Sequence, residues 1–327
     1  MTYRYTNTHS QLEIPMKRFF FFTIILSALC YLLCFPQEAF RASANGLKLW
    51  FYTVLPSLLP FLILSDFLIH TGQIPRILDH FRLFFQKFLG LTSYGGYALF
   101  LGLFCGYPMG AKLTADLFRE NKISENEANY LLTFSNNASP MFLISYVLLN
   151  SLHIQGYTFT TFCILYTSSF LTSLLFRFLY HRFGINQAPA EKKTPIRSSL
   201  GRLIDVSIMN GFETITRLGG YIILFSIGAS MIIRLTAHLS TLSWILPGVV
   251  EITTGIHLIA DSAAAFPLKY LLILTVTSFG GISTIAQTKG MLHGTPLSIT
   301  VYIFGKLINA LCTLILGILF LLVQSVL

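Results

Sequence analysis

The stretches "LFCGYPMGAKL" (Leu103–Leu113) and "TFSNNASPMFL" (Thr133–Leu143) each interrupt an apolar run with glycine, proline or amides. Around them the composition is that of an integral membrane protein. Of the 327 residues, 54% are hydrophobic and 11% charged, with a mean hydropathy of +0.68; a soluble domain carries about 25% charged residues. Only structures that satisfy their own backbone polar groups cross a bilayer, and these apolar runs have helical length. The fold class expected is therefore an all-α polytopic membrane protein that breaks its own helices at depth.

Non-helical backbone at that depth needs surrounding protein or a wet cavity. At the first break, Gly106 and Gly110 permit turns and Pro108 favours the start of a new helix. That helix would aim free N–H groups, with a partial positive charge, at the membrane middle. At the second break, Ser139 can cap and Pro140 can begin a helix. Pro140 lacks an N–H and so frees the carbonyl of Asn136. Ser135, Asn136, Asn137 and Ser139 would point in nearly all directions on a helix, some toward lipid. An unwound, enclosed segment avoids that, and its amides are then candidates for ligand binding. The bland alternative is that they glue helices together.

Spans follow from apolar length and flanking charge. The first is expected over about 17–35, beginning in the cytoplasm, and is read as an uncleaved helix rather than a signal peptide. The second covers about 47–69. An amphipathic helix over 75–90 is expected at the cytoplasmic interface. A span over 158–180 returns to the cytoplasm, and the basic linker from Gly184 to Arg202 divides the chain. Between Gly90 inside and Asn150 outside, an odd number of crossings is needed. The charged "RENKISENE" belongs in the cytoplasm, so 97–117 forms a re-entrant hairpin with "CGYPMG" at its tip. Residues 130–149 then cross once, broken at "NNASP".

The second half repeats the pattern loosely. "TSFGGISTIAQTKGMLHGTPLS" (Thr277–Ser298) resembles Leu103–Ser124, which places Gly280, Gly281 and Ser283 at a second hairpin tip and carries Ser135 onto Asn309. Its starting orientation is opposite, and inverted repeats with re-entrant hairpins and broken helices mark secondary transporters. The expected organisation is a tail and first helix (1–40), a first repeat (41–182), a linker (183–204) and an inverted second repeat (205–327). Solute-binding candidates are Gly106, Tyr107, Pro108, Gly110, Ser135, Asn136, Asn137, Ser139, Gly280, Gly281, Ser283 and Asn309. In "LPGVVEITTGIHL", Glu251 is an ionisable group in apolar surroundings and a coupling candidate with Thr253 and Thr254. Its carboxyl is expected to hold a proton more tightly unless those threonines hydrogen-bond the charged form. Asp66, Asp116 and Lys112 are placed nearer the cytoplasmic interface.

Other chemistries find no support. The net charge of +9 gathers at span ends rather than in a nucleic-acid patch. The five cysteines lie in apolar runs without metal-ligand spacing, and the scattered histidines form no HExxH. No serine–lysine or paired-aspartate arrangement suggests an intramembrane enzyme, so no catalytic residue, metal or cofactor is expected.

"GLKLWFYTVLPSLLPFLILS" (46–65), "CGYPMGAKL" (105–113), "FSNNASPMF" (134–142) and "PGVVEITTGI" (247–256) together resemble the sporulation integral membrane proteins of the YlbJ type, which contain nucleoside recognition (Gate) domains. The likeness covers nearly the whole chain after Arg41. It implies a hairpin-containing transport fold, related to concentrative nucleoside transporters and to the membrane part of ferrous iron transporters, in a spore-forming bacterium. The expected function is transport of a small polar or anionic solute, with a coupling ion, serving sporulation. The alternative is a non-transporting scaffold for spore envelope assembly. The expected location is the cell membrane, multi-pass with a cytoplasmic N-terminus; the partners are the lipid bilayer, the solute, its ion and, open at this point, a second copy of the chain.

Overall fold

The computed structural model describes residues 8–71, 79–154, 156–181, 200–239 and 242–326. The expected linker over Gly184–Arg202 and the start of the amphipathic segment at Pro75 fall largely outside them. The described residues are mostly helical, with no strand among them. Among the described residues, four helices are long and apolar enough to cross a membrane, or five if a helix pair bent by 109° at Phe35 counts as one span.

Helix α1 (Thr8–Cys34) ends at Phe35, where Pro36 opens α2 (Pro36–Leu49). Proline suits that first turn because its missing N–H would be unpaired there anyway. The chain stays helical through Trp50–Val54 into α3 (Leu55–Thr71), longer than the span over 47–69 read from hydropathy. The partner of α2 and α3 is α9 (Leu200–Thr236), 37 residues and about 55 Å long at 1.5 Å per residue. The pairing is antiparallel along its length. Glu38 meets Arg234 at 2.6 Å, the Trp50 indole donates to the Ile215 carbonyl at 2.8 Å, and Asn210 reaches Asp66. These contacts define two ends of the molecule: a basic end, where α3 stops and α9 starts, and a far end.

From the basic end, α4 (Ser93–Cys105) runs inward, turns at 106–108, and α5 (Met109–Arg119) runs back. The expected first hairpin is therefore present, with its tip at Gly106–Pro108. Neither limb approaches the ~20 residues of a spanning helix. Helix α6 (Glu125–Leu132) then enters from the same end, the chain unwinds through 133–139, and α7 (Phe142–Ser151) continues to the far end. Ser139 Oγ accepts from the Phe142 N–H at 3.2 Å, the capping role its sequence position suggests. Helix α8 (Thr158–His181) returns to the basic end, where Arg177 donates to the Lys87 and Phe88 carbonyls. It thereby ties down the short helical stretch 79–89, whose Phe81, Phe84 and Phe88 are exposed as an interfacial segment requires.

The second half corrects the expected register. Its hairpin is not Thr277–Ser298 but α10 (Leu242–Val250) with α11 (Ile252–Asp261), and Glu251 is the tip. The limbs touch at glycines: a Cβ on Gly255 would lie 2.0 Å from the Gly248 Cα. Gly102 against Gly110 is the matching contact in the first hairpin, at 2.9 Å on the same construction. Residues 266–291 instead form one span, α12 (Phe266–Phe279) and α13 (Gly281–Met291), interrupted at Gly280 and Gly281. Their φ values of +85° and +78° lie in the left-handed region, which glycine enters without steric cost. This broken span is the counterpart of α6–α7, so Gly106 and Gly280 are not equivalent positions. Helix α14 (Ile299–Val326) closes the chain. Its end meets Tyr157, and Tyr157 also packs on Phe266, so α12 starts at the far end. The two hairpins enter from opposite ends, an inverted arrangement.

Candidate functional site

Both hairpin tips open onto one cavity of about 480 Å³. The first contributes Cys105, Gly106 and Tyr107, and the second Glu251, Ile252 and Thr253. The broken spans add Ser139 from one side and Ser283, Thr284 and Gln287 from the other. The facing wall is apolar, built from α2–α3 and α9 through residues such as Val54, Leu58, Leu218 and Ile222. The sequence-derived candidates Gly106, Tyr107, Ser139, Ser283, Glu251 and Thr253 are thus brought together. Thr254 lies behind the tip and lines a neighbouring cavity of about 450 Å³ toward the far end, which shares Leu49, Tyr146 and Thr253 with the first.

Glu251 is buried, at 3% exposure, and both threonines hydrogen-bond it. It caps α11: Oε1 accepts from the Thr253 N–H at 3.1 Å. Oε2 accepts from the Thr254 N–H at 2.8 Å and from the Thr253 and Thr254 hydroxyls at 2.6 and 2.8 Å. These four donors gather at the N-terminus of α11, whose otherwise unpaired N–H groups the side chain caps. The Thr253 carbonyl in turn accepts from the Tyr146 hydroxyl at 2.8 Å, which joins the tip to α7.

The amides stand elsewhere. Asn136, Asn137 and Asn309 do not line the large cavity; they form a hydrogen-bonded layer behind it. The Asn136 amide donates to Thr288 Oγ1 at 3.2 Å and to the Tyr302 hydroxyl at 3.1 Å. The Asn137 amide donates to the Phe134 carbonyl and Ser169 Oγ, and its Oδ1 accepts from Asn309 at 3.3 Å. Asn309 Oδ1 accepts from Ser168 Oγ at 2.7 Å. These contacts join the unwound stretch to α8, α13 and α14, as the glue reading describes. Ser135 is fully buried, and its carbonyl sits where a Cβ on Gly102 or Gly110 would have to go. Pro108, Gly110, Gly280 and Gly281 shape the breaks without lining the cavity.

Residues not selected from sequence complete the site. Thr284 and Gln287 extend the polar face of α13, and the Gln287 amide donates to Ser283 Oγ at 3.0 Å. Lys306, buried at 1% exposure, donates to the Asn136 carbonyl at 2.9 Å. An ionisable residue inside the last apolar helix was a visible signal for it. At the basic end, Arg119 donates to Asp116 and to the Met291 and His293 carbonyls, at 2.8 and 2.7 Å for the latter two, so α5 closes over the end of α13. Glu127 is buried beside the start of α4, where the Thr92 N–H and hydroxyl donate to its Oε1. Burial pushes its carboxyl upward from the usual value, and the two Thr92 bonds oppose that shift. Among the described residues, no cluster of three or more His, Cys, Asp or Glu side chains could hold a metal ion.

Opposed hairpins whose tips share a cavity with two broken spans define a polytopic membrane protein of the re-entrant class. Compared with curated proteins, the chain is similar to the sporulation integral membrane protein YlbJ of Bacillus subtilis (strain 168), 28% identical over 308 residues. The match covers 84% of this chain and 75% of that protein, so the chain is YlbJ-like over most of its length. No protein-family model matches it, and no solved structure matches it significantly.

Proposed function

We propose that this chain is a secondary transporter that carries a small solute through the central cavity, in the service of sporulation as the name of its relative suggests. The observation that carries the reading is the meeting of both hairpin tips and both broken spans on one cavity of about 480 Å³. That volume suits a small molecule, for which sites run to roughly 300–1,000 Å³, and helix breaks at a shared midplane site are the transporter arrangement. A Gate-type relationship, as implied by the quoted motifs, fits the same geometry. Toward the far end the cavity borders a second one with which it shares Leu49, Tyr146 and Thr253, whereas at the basic end Arg119 ties α5 to the end of α13. Basic residues gather at that end, which the positive-inside rule makes cytoplasmic. The reading is of a carrier, not an enzyme.

The lining also bears on the solute. Among the described lining residues Glu251 is the only charged one, opposite hydroxyl and amide groups and an apolar wall. That favours a neutral or cationic molecule with an apolar face over an anion. The test is thermal unfolding of the purified protein with nucleosides, amines, polyols and carboxylates, followed by uptake of any hit into proteoliposomes. Ligand at about 100 times its Kd adds about 2.7 kcal/mol to the native state. A neutral or cationic hit whose stabilisation falls in Gln287→Ala supports the reading. A screen in which no solute stabilises the parent or is taken up defeats it.

A further inference from the structure

The unwound stretch lies directly on α14. A Cβ on Gly305 would stand 2.5 Å from the Thr133 Cα and 2.6 Å from its carbonyl oxygen, so the two backbones are in contact. The next residue, Lys306, places its ammonium on the Asn136 carbonyl at 2.9 Å. The chain itself leaves that carbonyl open, because the residue four positions on is Pro140. The ammonium also lies 4.9 Å from the centre of the Tyr107 ring, within cation–π range. Among the described residues no carboxylate pairs with it. Two further oxygens of the same stretch, Ser135 Oγ and Asn136 Oδ1, are buried without a partner among the described residues.

A buried ammonium without a counterion is a costly way to satisfy one carbonyl, since a serine or asparagine would donate as well without the charge. What surrounds it is a freed backbone carbonyl, side-chain oxygens and an aromatic face. Oxygen dipoles on non-helical backbone are how proteins hold small monovalent cations. We propose that Lys306 is a tethered cation, its ammonium filling a site on the unwound stretch that would otherwise take a monovalent metal ion. The stretch is then held in its broken form permanently, and no metal ion is required there. The inference rests on the transport reading only in its consequence, that a metal-ion gradient does not drive the carrier through this break.

The test compares thermal unfolding of the parent, Lys306→Gln, Lys306→Met and Lys306→Arg in choline, lithium, sodium and potassium chlorides at equal ionic strength. The parent and the Arg variant should unfold at the same temperature in all four salts. The Gln and Met variants should unfold at lower temperature in choline and regain stability, saturably, in at least one alkali chloride. A parent that is itself saturably stabilised by lithium, sodium or potassium over choline overturns the proposal. So do neutral variants that fold but show no preference among the salts, and neutral variants that fold in none of them, which would make Lys306 a plain structural donor. The readout needs no solute, so failure of the transport reading, seen as absent uptake, is distinguishable from failure here.

Discussion

Replacing Glu251 tests whether the second hairpin tip is held by its carboxylate. The side chain accepts four hydrogen bonds, two of them from the Thr253 and Thr254 backbone N–H groups. In Glu251→Ala the hydroxyls can turn to nearby carbonyls, but the two N–H groups lose their acceptor next to a residue only 3% exposed. Each buried donor left unpaired costs about 1–3 kcal/mol, and loss of a helix cap alone costs about 0.5–2 kcal/mol. A total near 3 kcal/mol follows, about 6 kcal/mol at most if neither group meets water. Glu251→Gln keeps one acceptor oxygen and loses the charge, for about 1–2 kcal/mol. Glu251→Asp retains capping chemistry and should cost least. The assay is thermal unfolding in one detergent at one scan rate, where 3 kcal/mol on a chain of this size corresponds to a fall of roughly 4–5 °C. The expected order of stability is parent, Asp, Gln, Ala. If Gln and Ala unfold with the parent while uptake is lost, the cap is not what holds the tip, and the carboxylate acts on the transported species instead.

Three further experiments probe other parts of the structure. Gly255→Ala forces a Cβ onto the Gly248 backbone and should abolish recovery of folded protein, whereas Gly220→Ala, where a Cβ meets nothing within 4 Å, should be neutral or slightly stabilising; equal recovery of the two by size-exclusion chromatography would refute the glycine contact. Asn137→Ala removes bonds to Phe134, Ser169 and Asn309 and should lower stability by about 1–3 kcal/mol, so full thermal stability with lost uptake would return this amide to ligand binding. Arg119→Gln releases the Met291 and His293 carbonyls and should speed maleimide labelling of Cys105, as the sole cysteine, by a reagent confined to the basic end; an unchanged rate would show that this contact is not a closure.

Legibility from sequence followed how local each feature is. The first hairpin and the second break are written in consecutive residues, because glycine, proline and amides stand out against apolar neighbours and their backbone effects act at once. The second hairpin is not. Its tip carries no proline between Val250 and Ile252, and its closure depends on Gly248 touching Gly255, a contact formed only when the chain has already turned. The Gly280–Gly281 pair looks like a tip on the same glycine criterion, yet in the fold it interrupts a single span. The roles of the amides were hidden for a different reason: Thr288 and Asn309 lie 152 and 172 residues from Asn136 and Asn137. Lys306 was the opposite case. Both halves of its contact, an ionisable residue in an apolar helix and a carbonyl freed by Pro140, were present in the sequence, and only their proximity was missing.

The distribution of bonds around the cavity indicates which parts can move. Behind it, Asn136, Asn137, Asn309, Ser168 and Lys306 join the unwound stretch to α8 and α14 through buried polar bonds, where an unpaired partner is costly. In front, α2–α3 and α9 present apolar side chains to the cavity, and apolar surfaces slide without leaving a donor unmatched. Among the described residues, Glu38 pairs with Arg234 at the far end, both within the α2–α9 pair, whereas the Lys112, Asp116 and Arg119 group at the basic end lies on α5 and reaches the end of α13 rather than the front. The first links two helices of the same wall and does not resist its displacement. What bridges the wall to the hairpin side is His70 on α3, which reaches Glu120 at 3.2 Å. Moving α2–α3 and α9 against the hairpins therefore requires the His70–Glu120 contact and the bond from the Tyr97 hydroxyl to the Ser65 carbonyl, at 3.3 Å, to part, while the Arg119 contact between α5 and α13 and the polar layer stay intact, without an unfolding of either tip.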